Sequence, residues 1–169
     1  VERPDVICGG YPCPAFSQAA RGRNVAPDLW PHMRTAIDAL CPRYVLLENV
    51  AAHLGRGFDG VLADLHALGF DAEWSTLTAC SVGAPHMRRR LFVVAHTNSV
   101  RQPGSTVDAQ APIMPHLADL DWGWWTHTPR PVGMADGVPH RVDRLRALGN
   151  AVVPQVAEHI GRMIVQAAA

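Results

Sequence analysis

The sequence predicts an α/β domain built on a mainly parallel sheet. Three observations carry that expectation. Short, continuous apolar runs recur at Val6–Cys8, Tyr44–Leu47 and Leu91–Ala95, as strands buried on both faces require. Amphipathic stretches of helical period alternate with the first two. The runs at Cys8 and Leu47 give way to glycine and to a carboxylate, at the strand ends where open α/β sheets hold their ligands.

Asp5 to Gly9 reads as a short buried strand closed by glycine. Pro31 to Leu40 follows as a helix with Met33, Ile37 and Leu40 on one face. Tyr44 to Glu48 is a continuous apolar strand ending on a carboxylate. Asp59 to Leu68 is an amphipathic helix, with Val61, Leu62, Leu65 and Leu68 at helical spacing and Gly69 as its stop. Asp71 to Thr78 alternates as a strand, and Leu91 to Ala95 is another buried one. The order is strand, helix, strand, helix, strand, strand. From Thr97 to Pro131 the texture changes: Pro103, Gly104, Pro112, Pro115 and Pro129 interrupt it, and Trp122, Trp124 and Trp125 cluster. Irregular structure around an apolar anchor is expected there. Helical sequence returns from Val142 to Leu148 and from Pro154 to about Gln166. Asn150 is the expected cap of the last helix, with Pro154 in its first turn.

A chain of 169 residues suits one domain, and 48% hydrophobic content excludes a disordered one. Fifteen basic residues cancel fifteen acidic ones, so charge alone points to no class of partner. Cysteines stand at 8, 13, 41 and 80 without a C-x-x-C pair, so a zinc knuckle is not expected. They read as reduced thiols of a cytoplasmic protein. No secretory leader and no apolar run of membrane-spanning length occur. The chain opens on Val1 and enters an apolar run within a few residues, as if partway through a larger domain.

Four short stretches carry chemistry. "GGYPCPAFS", Gly9 to Ser17, sets Cys13 between two prolines just beyond the first strand. A thiol of ordinary pKa, about 8.5, is mostly protonated at neutral pH. A loop leading from strand to helix supplies N–H groups and a positive dipole, and the prolines restrict the side chain's direction. A buried structural cysteine in a tight turn fits the same residues. In "LLENVAAH", Glu48 ends an apolar run at the rim of the core. Partial burial raises a carboxyl's pKa and lets it carry a proton at neutral pH; capping the next helix is the alternative. In "GAPHMRRR", alternation sends Arg88 and Arg90 to one side and Arg89 to the other. That makes either an anion clamp or a solvated basic turn. "ALGNAVVPQ" places a Gly-Asn turn before a helix, where backbone groups can meet a polar ligand or simply mark a turn.

In this order and combination, the four stretches resemble the later motifs of the cytosine-5 DNA methyltransferase family. Its nucleophile loop is Gly-Gly-Pro-Cys-Gln-like with a following Phe-Ser; Glu48-Asn49-Val50 matches its Glu-Asn-Val. His86 to Arg90 stands for its Gln-x-Arg-x-Arg, and Gly149, Asn150, Val152 and Pro154 match its Gly-Asn-x-Val-x-Pro. The resemblance implies a partial Rossmann-like fold that uses S-adenosylmethionine and lacks its amino-terminal strands. It implies residues 1–96 as a partial catalytic core, 97–144 as a short target-recognition-like region and 145–169 as a helix returning to the core. Cys13 is then the nucleophile, Glu48 the acid at cytosine nitrogen 3, and Arg88 and Arg90 the clamps on base and backbone. Asn49 helps to fix Glu48. Ser17, Asn49, Val50 and His86 meet the substrate, and Pro12, Asn150, Ala151 and Val152 meet the methyl donor. The implied partner is double-stranded DNA, in a bacterial or phage-like restriction-modification setting near the nucleoid, with no metal and no membrane.

The chemistry explains why such residues belong together. Carbon 5 of cytosine is a poor nucleophile. A thiolate adding to carbon 6 makes it electron-rich, provided nitrogen 3 is protonated or strongly hydrogen-bonded. Methyl transfer from a sulfonium, loss of the carbon 5 proton and expulsion of the thiol complete the cycle. The target base must first leave the stack.

The match also departs from the family. The glycine-rich first motif and the acidic residue that hold most of the donor are missing, so a fragment or one half of a split enzyme is expected, with weak or no donor binding alone. Thr97 to Arg144 is short beside a separate domain of ~100–150 residues. Pro14 and His86 each replace a glutamine. A tRNA cytosine-5 methyltransferase, a catalytically silent nucleic-acid-binding piece and a cysteine hydrolase are the competing readings.

Overall fold

The computed structural model describes residues 3–12, 27–84, 86–97 and 151–168. The apolar runs become a four-stranded sheet of β1 (Val6–Gly10), β2 (Tyr44–Val50), β3 (Phe70–Leu77) and β4 (Arg90–Thr97). Three helices flank it: α1 (Trp30–Leu40), α2 (Phe58–Ala67) and α3 (Pro154–Ala168). Every expected element within the described residues is present, with ends shifted by a residue or two. The class is α/β.

The strand order is β1-β2-β4-β3. β1 and β2 are parallel, while β4 is antiparallel to both β2 and β3. Among the described residues the sheet is therefore mixed, which corrects the expectation of mainly parallel pairing. The reason is local. Only a 3-10 turn, Ala79–Val82, and a short loop separate β3 from β4, so the chain reverses there instead of crossing over through a helix. β4 then lies between β2 and β3, which stay parallel to each other across it and are joined through α2.

Alternation along the strands divides the core in two. Val45 and Leu47 of β2, with Leu91, Val93 and Ala95 of β4, pack against α1 and α2 through Trp30, Ile37, Phe58, Val61 and Leu65. Tyr44, Phe92 and Val94 pack on the other face against Val156, Ile160 and Ile164 of α3. Asp64 ties the two helices of the first layer: it accepts from Trp30 Nε1 at 2.7 Å and from Arg34 Nε at 3.2 Å. Gly69 stops α2 as expected, in the left-handed region at φ 83°.

Two further expectations need correction. β1 is not a buried strand: only β2 pairs with it among the described residues, and Val6 and Cys8 are exposed. α1 covers one face of β1 so closely that a Cβ on Gly9 would overlap the Met33 methyl. α3 begins at Pro154, so the cap position falls to Val153, whose carbonyl accepts from the N–H groups of Val156 and Ala157. Asn150, the expected cap, lies outside the described residues, as do the region beyond Thr97 with its three tryptophans and the expected helix at Val142 to Leu148. Among the described residues no helix is long and apolar enough to cross a membrane, and no cluster of His, Cys, Asp or Glu could hold a metal ion.

Candidate active site

Parallel pairing brings the ends of β1 and β2 to one edge, where Gly10 sits opposite Glu48. Tyr11 and Pro12 carry the chain on towards Cys13, which lies outside the described residues. Alternation then parts two neighbours. Glu48 turns with Tyr44 and Leu46 to the α3 side of the sheet, and Asn49 turns with Val45 and Leu47 to the α1–α2 side.

On β4, Phe92 opposes Glu48 and Arg90 opposes Val50, so Glu48 and Arg90 are diagonal neighbours on one face. Arg90 Nε lies 3.0 Å from Glu48 Oε1, with side chains only 21% and 17% exposed. Burial raises the Glu48 pKa above the ordinary glutamate value, although the charges of Arg90 and Arg88 and the Arg90 hydrogen bond all pull it down. Burial also lowers the Arg88 pKa; repulsion from Arg90 adds to this, and the Glu48 carboxylate opposes it.

Gly10 makes room for this carboxyl. A Cβ there would stand 3.2 Å from Glu48 Oε2. Gly10→Ala is therefore expected to push the carboxyl a few tenths of an ångström from Gly10. It should shift the carboxyl against Arg90 while changing stability by less than about 1 kcal/mol. A crystal structure of the variant set beside a denaturant titration checks this: an unmoved carboxyl, or a stability loss well above that figure, contradicts it.

Arg88 reaches the cluster by a route that alternation does not explain. It precedes β4 and takes a left-handed backbone, φ 23°, unusual for a residue with a side chain. Its guanidinium Nη2 donates to the Ala151 carbonyl, tying the segment before α3 to the arginine loop. Ala151, Val152, Pro12 and His86 are exposed, and Val50 is half-buried at the strand end. Ser17 and Asn150 lie outside the described residues.

Asn49 does not fix Glu48. Its Nδ2 donates to the Tyr11 carbonyl at 3.1 Å and its Oδ1 accepts from the Val50 N–H at 2.8 Å. The fold therefore brings Glu48, Arg88 and Arg90 together and gives Asn49 a different partner. Two buried residues were not anticipated. The Tyr11 hydroxyl lies 2.8 Å from His53 Nε2, and His53 Nδ1 lies 2.9 Å from the Arg56 carbonyl oxygen. The available signal was an imidazole within the otherwise apolar stretch that follows Glu48.

A family model described as C-5 cytosine-specific DNA methylase matches residues 1–121. Among curated relatives, the type II methyltransferase M.NaeI of Lentzea aerocolonigenes is 36% identical over 55% of this chain and 24% of its own length. The type II methyltransferase M.AgeI of Thalassovita gelatinovora is 34% identical over 57% of this chain and 24% of its own. The chain thus spans about a quarter of the length of these two relatives. A solved structure of a putative DNA modification methyltransferase from an E. coli prophage is 27% identical, covers 59% of this chain and 28% of that one, and has a TM-score of 0.46.

Proposed function

The chain belongs to the C-5 cytosine-specific DNA methylase family, and from that premise we propose that it is the base-handling part of a DNA cytosine-5 methyltransferase. Its substrate is a cytosine flipped out of duplex DNA, with Cys13 as nucleophile and Glu48 as acid. The observation that carries this reading is Glu48: a carboxyl of raised pKa, bonded to Arg90 and opposite the strand end that leads to Cys13.

Each side chain has a task. The Cys13 thiolate adds to carbon 6 while Glu48 gives its proton to nitrogen 3, so the ring's electrons collect at carbon 5 instead of as a charge on nitrogen. Arg90 orients the carboxyl and presents donors to the base oxygen. Once carbon 5 carries its methyl group, water takes the carbon 5 proton, the carbon–sulfur bond breaks to release the thiolate, and the nitrogen 3 proton returns to Glu48.

The methyl donor of this chemistry is S-adenosylmethionine, which supplies an electrophilic methyl on a sulfonium. Of the four residues assigned to it, Pro12, Ala151 and Val152 would meet it with backbone and apolar surface, and Asn150, the polar one, lies outside the described residues.

The test is transfer of a labelled methyl group by the complete enzyme to duplex DNA and, separately, to tRNA. Label at cytosine carbon 5 of DNA is the expected result. Label in tRNA alone, or in neither, contradicts the reading.

A further inference from the structure

Resting on the reading of Cys13 as nucleophile, we propose that Tyr11 and His53 form a positioning brace that sets the direction of the Cys13 loop. Tyr11 is the first residue beyond β1, only 5% exposed, and Cys13 follows two residues later. Among the described residues, three elements hold Tyr11 by three different handles. Asn49 of β2 donates to its carbonyl. Trp30 of α1 packs on its ring at 5.1 Å between centroids. His53, in the 3-10 turn Ala51–Gly55 after β2, bonds its hydroxyl.

For a neutral ring, the two hydrogen bonds select one histidine tautomer. A carbonyl only accepts, so the Nδ1 facing Arg56 carries the proton. In the neutral ring Nε2 is then the acceptor, and the Tyr11 hydroxyl donates to it. Phe58 packs edge-on against His53 at 5.7 Å and holds the ring in that plane. A residue needed only to fill the core here requires no hydroxyl, since phenylalanine occupies the same space. The polar handle adds direction to packing: it fixes the backbone where the loop departs. β2 thus holds the Tyr11 carbonyl through Asn49 and carries the acid one residue earlier, so one strand end holds both the acid and the backbone two residues before Cys13.

The experiment compares Tyr11→Phe, His53→Leu and His53→Gln in the complete enzyme. The readouts are the rate of covalent capture by 5-fluorocytosine DNA at saturating DNA and donor, the Kd for DNA, and the melting temperature. Tyr11→Phe and His53→Leu are expected to slow capture about tenfold or more, with Kd unchanged and the fold intact at the assay temperature. Glutamine can accept from the tyrosine and donate to the carbonyl, so His53→Gln is expected to recover most of the rate. Wild-type capture rates in Tyr11→Phe and His53→Leu, or a His53→Gln variant no better than His53→Leu, overturn the brace. A Cys13→Ser control separates the two levels. Capture that survives in it refutes the nucleophile itself; capture that vanishes there while Tyr11→Phe is normal refutes only the brace.

Discussion

Glu48→Gln is expected to slow methyl transfer by about 10² to 10⁴-fold while leaving DNA affinity close to that of the wild type. The amide keeps the shape of the carboxyl and can hydrogen-bond nitrogen 3, but it cannot deliver a proton there. The effect therefore falls on the chemical step and not on binding, and single-turnover kinetics separates the two. The pH profile should change with it. Burial raises the Glu48 pKa, so the acid is present over a wider range than an ordinary glutamate allows. The wild-type rate should have a limb that falls as pH rises through that raised value, and the glutamine variant should lack it. Linkage gives the same sign for stability. The folded protein holds this proton more tightly than the unfolded chain does, so the contribution is fully present below the ordinary glutamate pKa. It is lost as pH rises through the folded one. Relative to Glu48→Gln, the wild type should lose stability across that window.

Arg90→Gln is expected to lower the rate by about 10²-fold and to move the falling limb to higher pH. The direction follows from the site. Arg90 lowers the Glu48 pKa through its charge and through its hydrogen bond, so its removal lets burial act with less opposition. Arg88→Gln should shift the limb the same way but less, because Arg88 is the weaker of the two charges on Glu48. The stability cost of losing Arg90 should stay modest, since the carboxyl can take up a proton instead of remaining a buried, unpaired charge. A pH–rate profile for each variant checks both the direction and the order.

The helices and strands were legible where periodicity is local. Val61, Leu62, Leu65 and Leu68 mark α2, and Gly69 ends it, because helical spacing and a left-handed stop are short-range properties. The sense of pairing was less legible. That β4 enters between β2 and β3 depends on contacts far apart in sequence, and no apolar run encodes its neighbour. At the site, Glu48, Arg88 and Arg90 could be grouped from their motifs, yet the physical route differs for Arg88, which arrives through a positive φ and not through strand alternation. The same alternation, applied to Glu48-Asn49, predicts opposite faces and was the available clue that Asn49 serves the β1 loop. Tyr11 and His53 stand 42 residues apart and belong to no shared motif, so only the folded arrangement joins them.

The most direct measurement is the site of covalent capture. Cytosine bearing fluorine at carbon 5 cannot lose that substituent as a proton, so once the methyl group is in place the thiol adduct persists. Incubating the complete enzyme with such DNA and the methyl donor, then digesting it, should leave the base attached to the peptide containing Cys13. An adduct on Cys8, Cys41 or Cys80 instead, or one that still forms in Cys13→Ser, contradicts the account.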